Sequence, residues 1–222
     1  AWQREKPWRV TQMDKASRLR FVGSRTMYAV YLVLFILTLI PILSPLGIPI
    51  PVGKYTKASY DYVQNLPRDS VVLVSGEFDV GLWPEEETFA RPMLIHLFRK
   101  GLKIVIVHFS PDSPVLIKGL VDVIDPQGQF GMKYGEDYVM LGYYAGREAA
   151  MAAFLKDVHS LVKADYYGTS IGQLPLMQRV KSSKDIALVI DAGGTDPGIP
   201  VRQFQSTFNL PLIEALTIGW VP

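Results

Sequence analysis

The residues of this chain best suited to chemistry follow its four clearest β-type runs. Glu77 and Asp79 end the run at 70–78, and Asp112 and Ser113 follow the run at 103–109. Gly142, Tyr143, Tyr144 and Gly146 close the run at 138–143. Asp191, Gly193, Gly194, Thr195 and Asp196 close the run at 185–191. The stretch GYYAGRE, from Gly142 to Glu148, ends a strand pattern and opens a helix pattern. Nucleotide-binding proteins hold phosphates in that order of elements. Here the glycines are spaced G-x-x-x-G, and tyrosines stand where a phosphate needs bare backbone. The stretch matches neither the dinucleotide fingerprint nor the P-loop. It reads as a tight strand-to-helix turn, with Arg147 near enough to the helix start to reach an anion.

The stretch DAGGTDPG (191–198) is the better candidate loop. Gly193 and Gly194, followed by Thr195, offer exposed amides and a hydroxyl to a carboxylate or phosphate; an ordinary Gly/Pro-rich connection is the competing reading. Glu77, Asp79, Asp112 and Asp191 could converge on Mg²⁺ or Ca²⁺, because hard cations take several oxygens. Solvated strand-end carboxylates are the plainer reading, and no D-x-D motif is present. His96, His108 and His159 lack metal-ligand spacing. The hydroxyls of Ser75, Thr169 and Ser170 lack a G-x-S-x-G setting. Without cysteine there is no thiolate zinc site, disulfide or cysteine nucleophile. No catalytic residue, metal site or cofactor is assigned.

The elements that must position these loops alternate. The apolar run SVVLVSGEF reads as a strand buried on both faces, and KIVIVHF, YVMLGY and DIALVID repeat the pattern. EALTIG (214–219) reads as a fifth strand. Helices are expected at 54–66, within 84–100 starting near Pro92, and at 113–124 with Ser113 as N-cap. A further helix runs from about 147 through Val162, and a short one spans 200–210. Strand-helix alternation means parallel strands with helices on both faces. The expectation is a doubly wound, Rossmann-like α/β domain of about five mostly parallel strands, over residues 54–222.

The N-terminal part is of another kind. Arg4, Lys6, Arg9, Lys15, Arg18, Arg20 and Arg25 face only Glu5 and Asp14, whereas the chain as a whole carries a net charge of +2. The basic character therefore belongs to this tail, and nucleic-acid binding finds no support in the remainder. The 28 residues from Thr26 to Gly53 contain no charge. About 20 apolar residues as helix cross a bilayer core. The division expected is a basic cytoplasmic tail at 1–25, a transmembrane helix at 26–46, a Pro-rich stalk at 47–53 and the α/β domain outside the cytoplasm. A cleavable signal peptide is disfavoured by the length of the apolar run and the lack of a small-x-small site before Lys54.

Three stretches, GEFDVGLWPEEETFARPMLIHLFRKGLKIV, YVMLGYYAGREAAM and LPLMQRVKSSKDIALVIDAGG, together resemble a family of uncharacterised prokaryotic membrane proteins. The resemblance covers residues 70–220. It implies an extracytoplasmic α/β domain tethered by hydrophobic helices, with at least one further membrane helix after the last strand. It implies no reaction and carries over no catalytic residue.

The functional expectation is a non-catalytic subunit, anchored in the lipid bilayer and assembling with other membrane-protein subunits or with itself. Trp83, Tyr143, Tyr144, Tyr166 and Tyr167 are its candidate contact residues, because exposed aromatic rings favour partner surfaces. The alternative is a small-ligand or metal-binding sensor or enzyme. It would use Asp79, Asp112, Arg147, Asp191, Gly193, Gly194 and Thr195 at the carboxyl ends of the strands.

Overall fold

The computed structural model describes residues 10–44, 51–193 and 196–217, with side-chain surroundings from residue 25 onward. The chain divides into two compact units, Ala1–Val52 and Gly53–Pro222.

In the first unit, α1 runs from Val10 to Leu43. Its stretch Arg25–Leu43 is long and apolar enough to cross a membrane. Pro41 sits in its last turn. Thr38, a polar residue within the apolar stretch, turns its hydroxyl back onto the carbonyls of Leu34 and Phe35, each at 2.9 Å. Its hydrogen-bonding need is thereby met inside the helix. Residues 45–50, which hold the end of the expected transmembrane helix and the Pro49 part of the expected stalk, lie outside the described residues.

In the second unit five parallel strands form one sheet: β1 (Val71–Glu77), β2 (Lys103–His108), β3 (Tyr138–Tyr143), β4 (Leu188–Gly193) and β5 (Leu212–Leu216). Their order is β3-β2-β1-β4-β5, and every neighbouring pair is parallel. The doubly wound α/β expectation is met. Helices α2 (Lys54–Asn65), α3 (Trp83–Lys100) and α4 (Ser113–Ile124) cover one face, with α5 (Pro126–Phe130) behind α4. On the other lie α6 (Arg147–Lys156), α7 (Val158–Leu161), α8 (Pro175–Arg179), the short turn α9 (Gly198–Pro200) and a π-helical stretch, Val201–Thr207. Both faces are therefore dry, which is why the strands read as continuous apolar runs.

Several boundaries differ from expectation, each for a local reason. Helix α3 starts at Trp83, not near Pro92. Pro84 occupies the first turn, where its missing N–H costs nothing. Pro92 is exposed, so the carbonyl it leaves unpaired can turn to water. Ser113 is the first residue of α4 and not its N-cap. Its buried hydroxyl accepts from the Phe78 N–H at 2.7 Å and ties the end of β1 to α4. The helix expected to run through Val162 breaks at Asp157, whose carboxylate instead caps α7 through the Ser160 N–H. Strand β4 starts late because Ser182 and Asp185 form a capping box around a 3₁₀ turn.

The outer edge of β3 is closed by pieces that are not strands. The Tyr138 carbonyl accepts from the Gly135 N–H at 2.9 Å, and the Met140 carbonyl from the Tyr166 N–H at 2.8 Å. The Met140 N–H donates to the Tyr134 hydroxyl at 3.4 Å. That hydroxyl in turn donates to the Asp165 carboxylate at 2.8 Å.

Candidate functional site

The connections lead from β1 outward to β2 and β3, then return across the sheet to β4 and β5. The direction of winding reverses between β1 and β4. Loops diverge at such a point and leave a crevice beyond the carboxyl ends of the two strands.

The register shows which side chains meet there. Leu73, Val189 and Leu212 are aligned across β1, β4 and β5, and all belong to the core under α6. Side chains recur on one face every second residue. Two residues on, Ser75, Asp191 and Glu214 therefore form an aligned polar row on that same face. Glu77 lies one step beyond Ser75, also on that face. Ser75 is fully buried, Asp191 is 4% exposed and Glu77 2% exposed. Glu214 is half-buried.

The electrostatics follow from that placement. Burial pushes the Asp191 carboxyl up to about 8; the nearby Ser75 hydroxyl opposes the shift, and the Glu77 and Glu214 charges add to it. Although Ser75 is close enough to exert that influence, neither its Oγ nor Asp191 Oδ1 makes a hydrogen bond of regular geometry. Burial, together with the Asp196 charge, raises Glu214 to about 7. Glu77 is compensated differently, by Arg147 Nη2 at 3.2 Å from its Oε2. The anion that Arg147 reaches is thus the chain's own.

Gly193 pairs with Glu77 across the switch point. A Cβ there would lie 2.7 Å from the Glu77 carbonyl oxygen, so the strand ends can approach only because this position lacks a side chain. Gly194 and Thr195 lie outside the described residues. Asp79 accepts from the Gly81 N–H at 2.7 Å and shapes its own turn. Asp112 is exposed before α4, on the β2 side and apart from the row. Of the four acids expected to converge, only Glu77 and Asp191 share a face. Among the described residues no group of three or more His, Asp or Glu side chains is arranged to hold a metal ion.

His108 belongs to the opposite face. Its Nδ1 meets the Gly76 carbonyl at 3.2 Å, and its ring packs edge-on against Phe78. Burial pushes it down to about 4, against that hydrogen bond, so it is neutral at pH 7. Glu214 was missed as a site residue. EALTIG places it in a strand, but only the register puts it level with Asp191.

The aromatic candidates lie elsewhere. Tyr143, Tyr166 and Tyr167 are 42%, 37% and 53% exposed. Trp83 and Tyr144 are half-buried. Trp83 packs edge-on to Phe78 and lines a groove of about 290 Å³ between α3 and α4, with Val115, Gly119 and Val123. The Tyr144 hydroxyl, raised to about 12 by burial, donates to the Ala164 carbonyl at 3.4 Å. Tyr166 and Tyr167 stack edge to face, and Lys118 of α4 lies 5.9 Å from the Tyr167 ring. The tyrosine cluster and the outer face of α4 are therefore neighbours.

Fold and register together define a doubly wound parallel α/β domain with a buried acidic row at its switch point. Neither the protein-family models, the curated proteins nor the solved structures contain a match to this chain.

Proposed function

We propose that this chain is a membrane-anchored, non-catalytic subunit whose α/β domain binds other membrane-protein subunits or a second copy of itself. The observation that carries this reading is exposed apolar surface both on α4 and on the tyrosine pair next to it. Val115 and Val123 are 69% and 62% exposed on α4, and Lys118 of the same helix reaches the Tyr167 ring, which packs against Tyr166. Large apolar side chains grouped in this way gain about 25 cal/mol per Å² when a partner covers them. The test is the mass of the full-length protein in mild detergent by native mass spectrometry. The expected mass exceeds that of one chain. Replacing Tyr166 and Tyr167 together by Ser should return it to one chain while shifting the melting temperature little. A single-chain mass for the unaltered protein would count against the reading.

The anchor in this reading is the Arg25–Leu43 helix, with the N-terminus in the cytoplasm and the domain outside, as the positive charges before residue 26 favour. The resemblance to prokaryotic membrane-tethered α/β proteins belongs to the same reading. Protease added to intact cells or spheroplasts should degrade the domain after residue 53 and spare the N-terminal tail. Cleavage of the tail with protection of the domain would reverse the orientation.

A further inference from the structure

The polar row at the switch point is costly as it stands. Buried polar atoms are nearly always hydrogen-bonded, and an exception calls for an explanation. Two exceptions sit side by side here, on adjacent strands and facing the same layer: Ser75 Oγ and Asp191 Oδ1. Glu214 occupies the next strand at the same level. A hydroxyl and two carboxyls are thus aligned at the switch point, beyond which folds of this kind bind their ligands. The inner two are sealed from solvent, and the third is half-open.

We propose that the Ser75–Asp191–Glu214 row binds a hard divalent cation, Mg²⁺ or Ca²⁺. The Asp191 and Glu214 carboxylates and the Ser75 hydroxyl supply ligands, and water fills the remaining positions.

The chemistry fits in three respects. Hard cations take oxygen ligands at about 2.0–2.6 Å, so two carboxylate oxygens on one ion lie within roughly 5 Å of each other. Neighbouring strands are about 4.8 Å apart, which sets aligned side chains at that spacing. A site with two carboxylates is sufficient, because Mg²⁺ commonly keeps several waters. The charges also balance: a dication neutralises two ionised carboxyls that would otherwise repel each other in a dry setting.

The surroundings leave the row its negative character. Arg147 of α6 is engaged with Glu77, and Arg202 of the π-helical stretch pairs with Glu148 at 3.3 Å. The remaining charge beside Glu214 is Asp196, which is exposed. Acidic side chains thus extend from the exposed Asp196 through half-buried Glu214 to buried Asp191. Protons compete with a cation for carboxylate oxygens, so binding should weaken in acid.

The experiment uses the full chain in mild detergent. Millimolar MgCl₂ or CaCl₂ should raise its melting temperature by about 3 °C or more over NaCl of equal ionic strength. Titration calorimetry at pH 7 should show a saturable binding heat for the same ions. Asp191→Asn should fold, melt no lower than the unaltered chain without divalent ions, and lose both the shift and the binding heat. Glu214→Gln should weaken binding at least tenfold. Asp122→Asn, which alters a surface carboxylate paired with Lys118, should retain the full shift. The proposal is overturned if the unaltered chain gains nothing beyond the NaCl control. It is equally overturned if Asp191→Asn retains the shift.

Discussion

Replacing Asp191 by Asn should make the protein several kcal/mol more stable at pH 9 in the presence of a chelator, and change little at pH 4. An unfolded aspartate titrates near pH 4, whereas folded Asp191 titrates at about 8. Between those values the folded chain keeps a proton that the unfolded chain has released. The contribution is therefore fully present below about pH 4 and is lost as pH rises through 8. Glu214, raised to about 7, acts in the same sense with a smaller amplitude because it is half-open to water. His108 acts oppositely: it is held neutral down to about 4, and its contribution is lost as pH falls from 6.5 to 4. The two buried groups nearly cancel between pH 4 and 6.5, so the unaltered protein should lose stability mainly from 6.5 to 8. Asp191→Asn should gain stability up to 6.5 and then level off. The difference between a carboxyl titrating near 4 and one titrating at about 8 corresponds to an effect on the order of 5 kcal/mol. Melting curves across pH for both proteins check this, and a difference independent of pH would show that Asp191 is not held protonated.

The second large effect concerns the layer that holds α6 against the sheet. Phe154 is fully buried and packs edge-on against Phe109, with ring centroids 6.4 Å apart. Truncation of a fully buried phenylalanine to alanine costs about 3–5 kcal/mol, through lost transfer energy and the cavity left behind. Phe154→Ala should show this loss in urea unfolding of the full chain, and Phe154→Leu should recover most of it. The consequence extends to the site, since α6 begins with Arg147, the partner of buried Glu77. A loss below about 1 kcal/mol would mean that the α6 layer collapses around the gap.

The sheet was legible in the sequence because both of its faces are dry. SVVLVSGEF, KIVIVHF and YVMLGY are short apolar runs rich in β-branched or aromatic residues, the pattern of strands covered on both faces. Legibility failed where pairing, not pattern, decides. Asp191 was recognisable as a strand-end acid, but its alignment with Ser75 and Glu214 depends on which strands are neighbours. That order cannot be read along the chain. EALTIG reads as a strand with nothing to single out Glu214, and Asp79 and Asp112 look equivalent to Glu77 although they face other surroundings. Helix limits failed for a local reason. Pro92 suggests a helix start, yet α3 runs through it from Trp83 to Lys100 with Pro92 on the exposed side. Ser113 was read as a cap because its type suits one, and its hydroxyl is used by Phe78 instead.

The closure of β3 has a consequence for how the protein ages in solution. Open strand edges recruit other chains, and this one is shut by the Tyr134 hydroxyl, the Gly135 amide and the Tyr166 amide, with no covering strand among the described residues. A loop and a phenol can let go in a small local opening, without the cost of unfolding the sheet. The Met140 amide should therefore exchange its hydrogen far sooner than the Val105 amide in the sheet interior. The same opening bares a short row of template groups. Self-association on long incubation would then begin from the folded state at this edge, at a rate governed by the hold of Asp165 on the Tyr134 hydroxyl rather than by global stability.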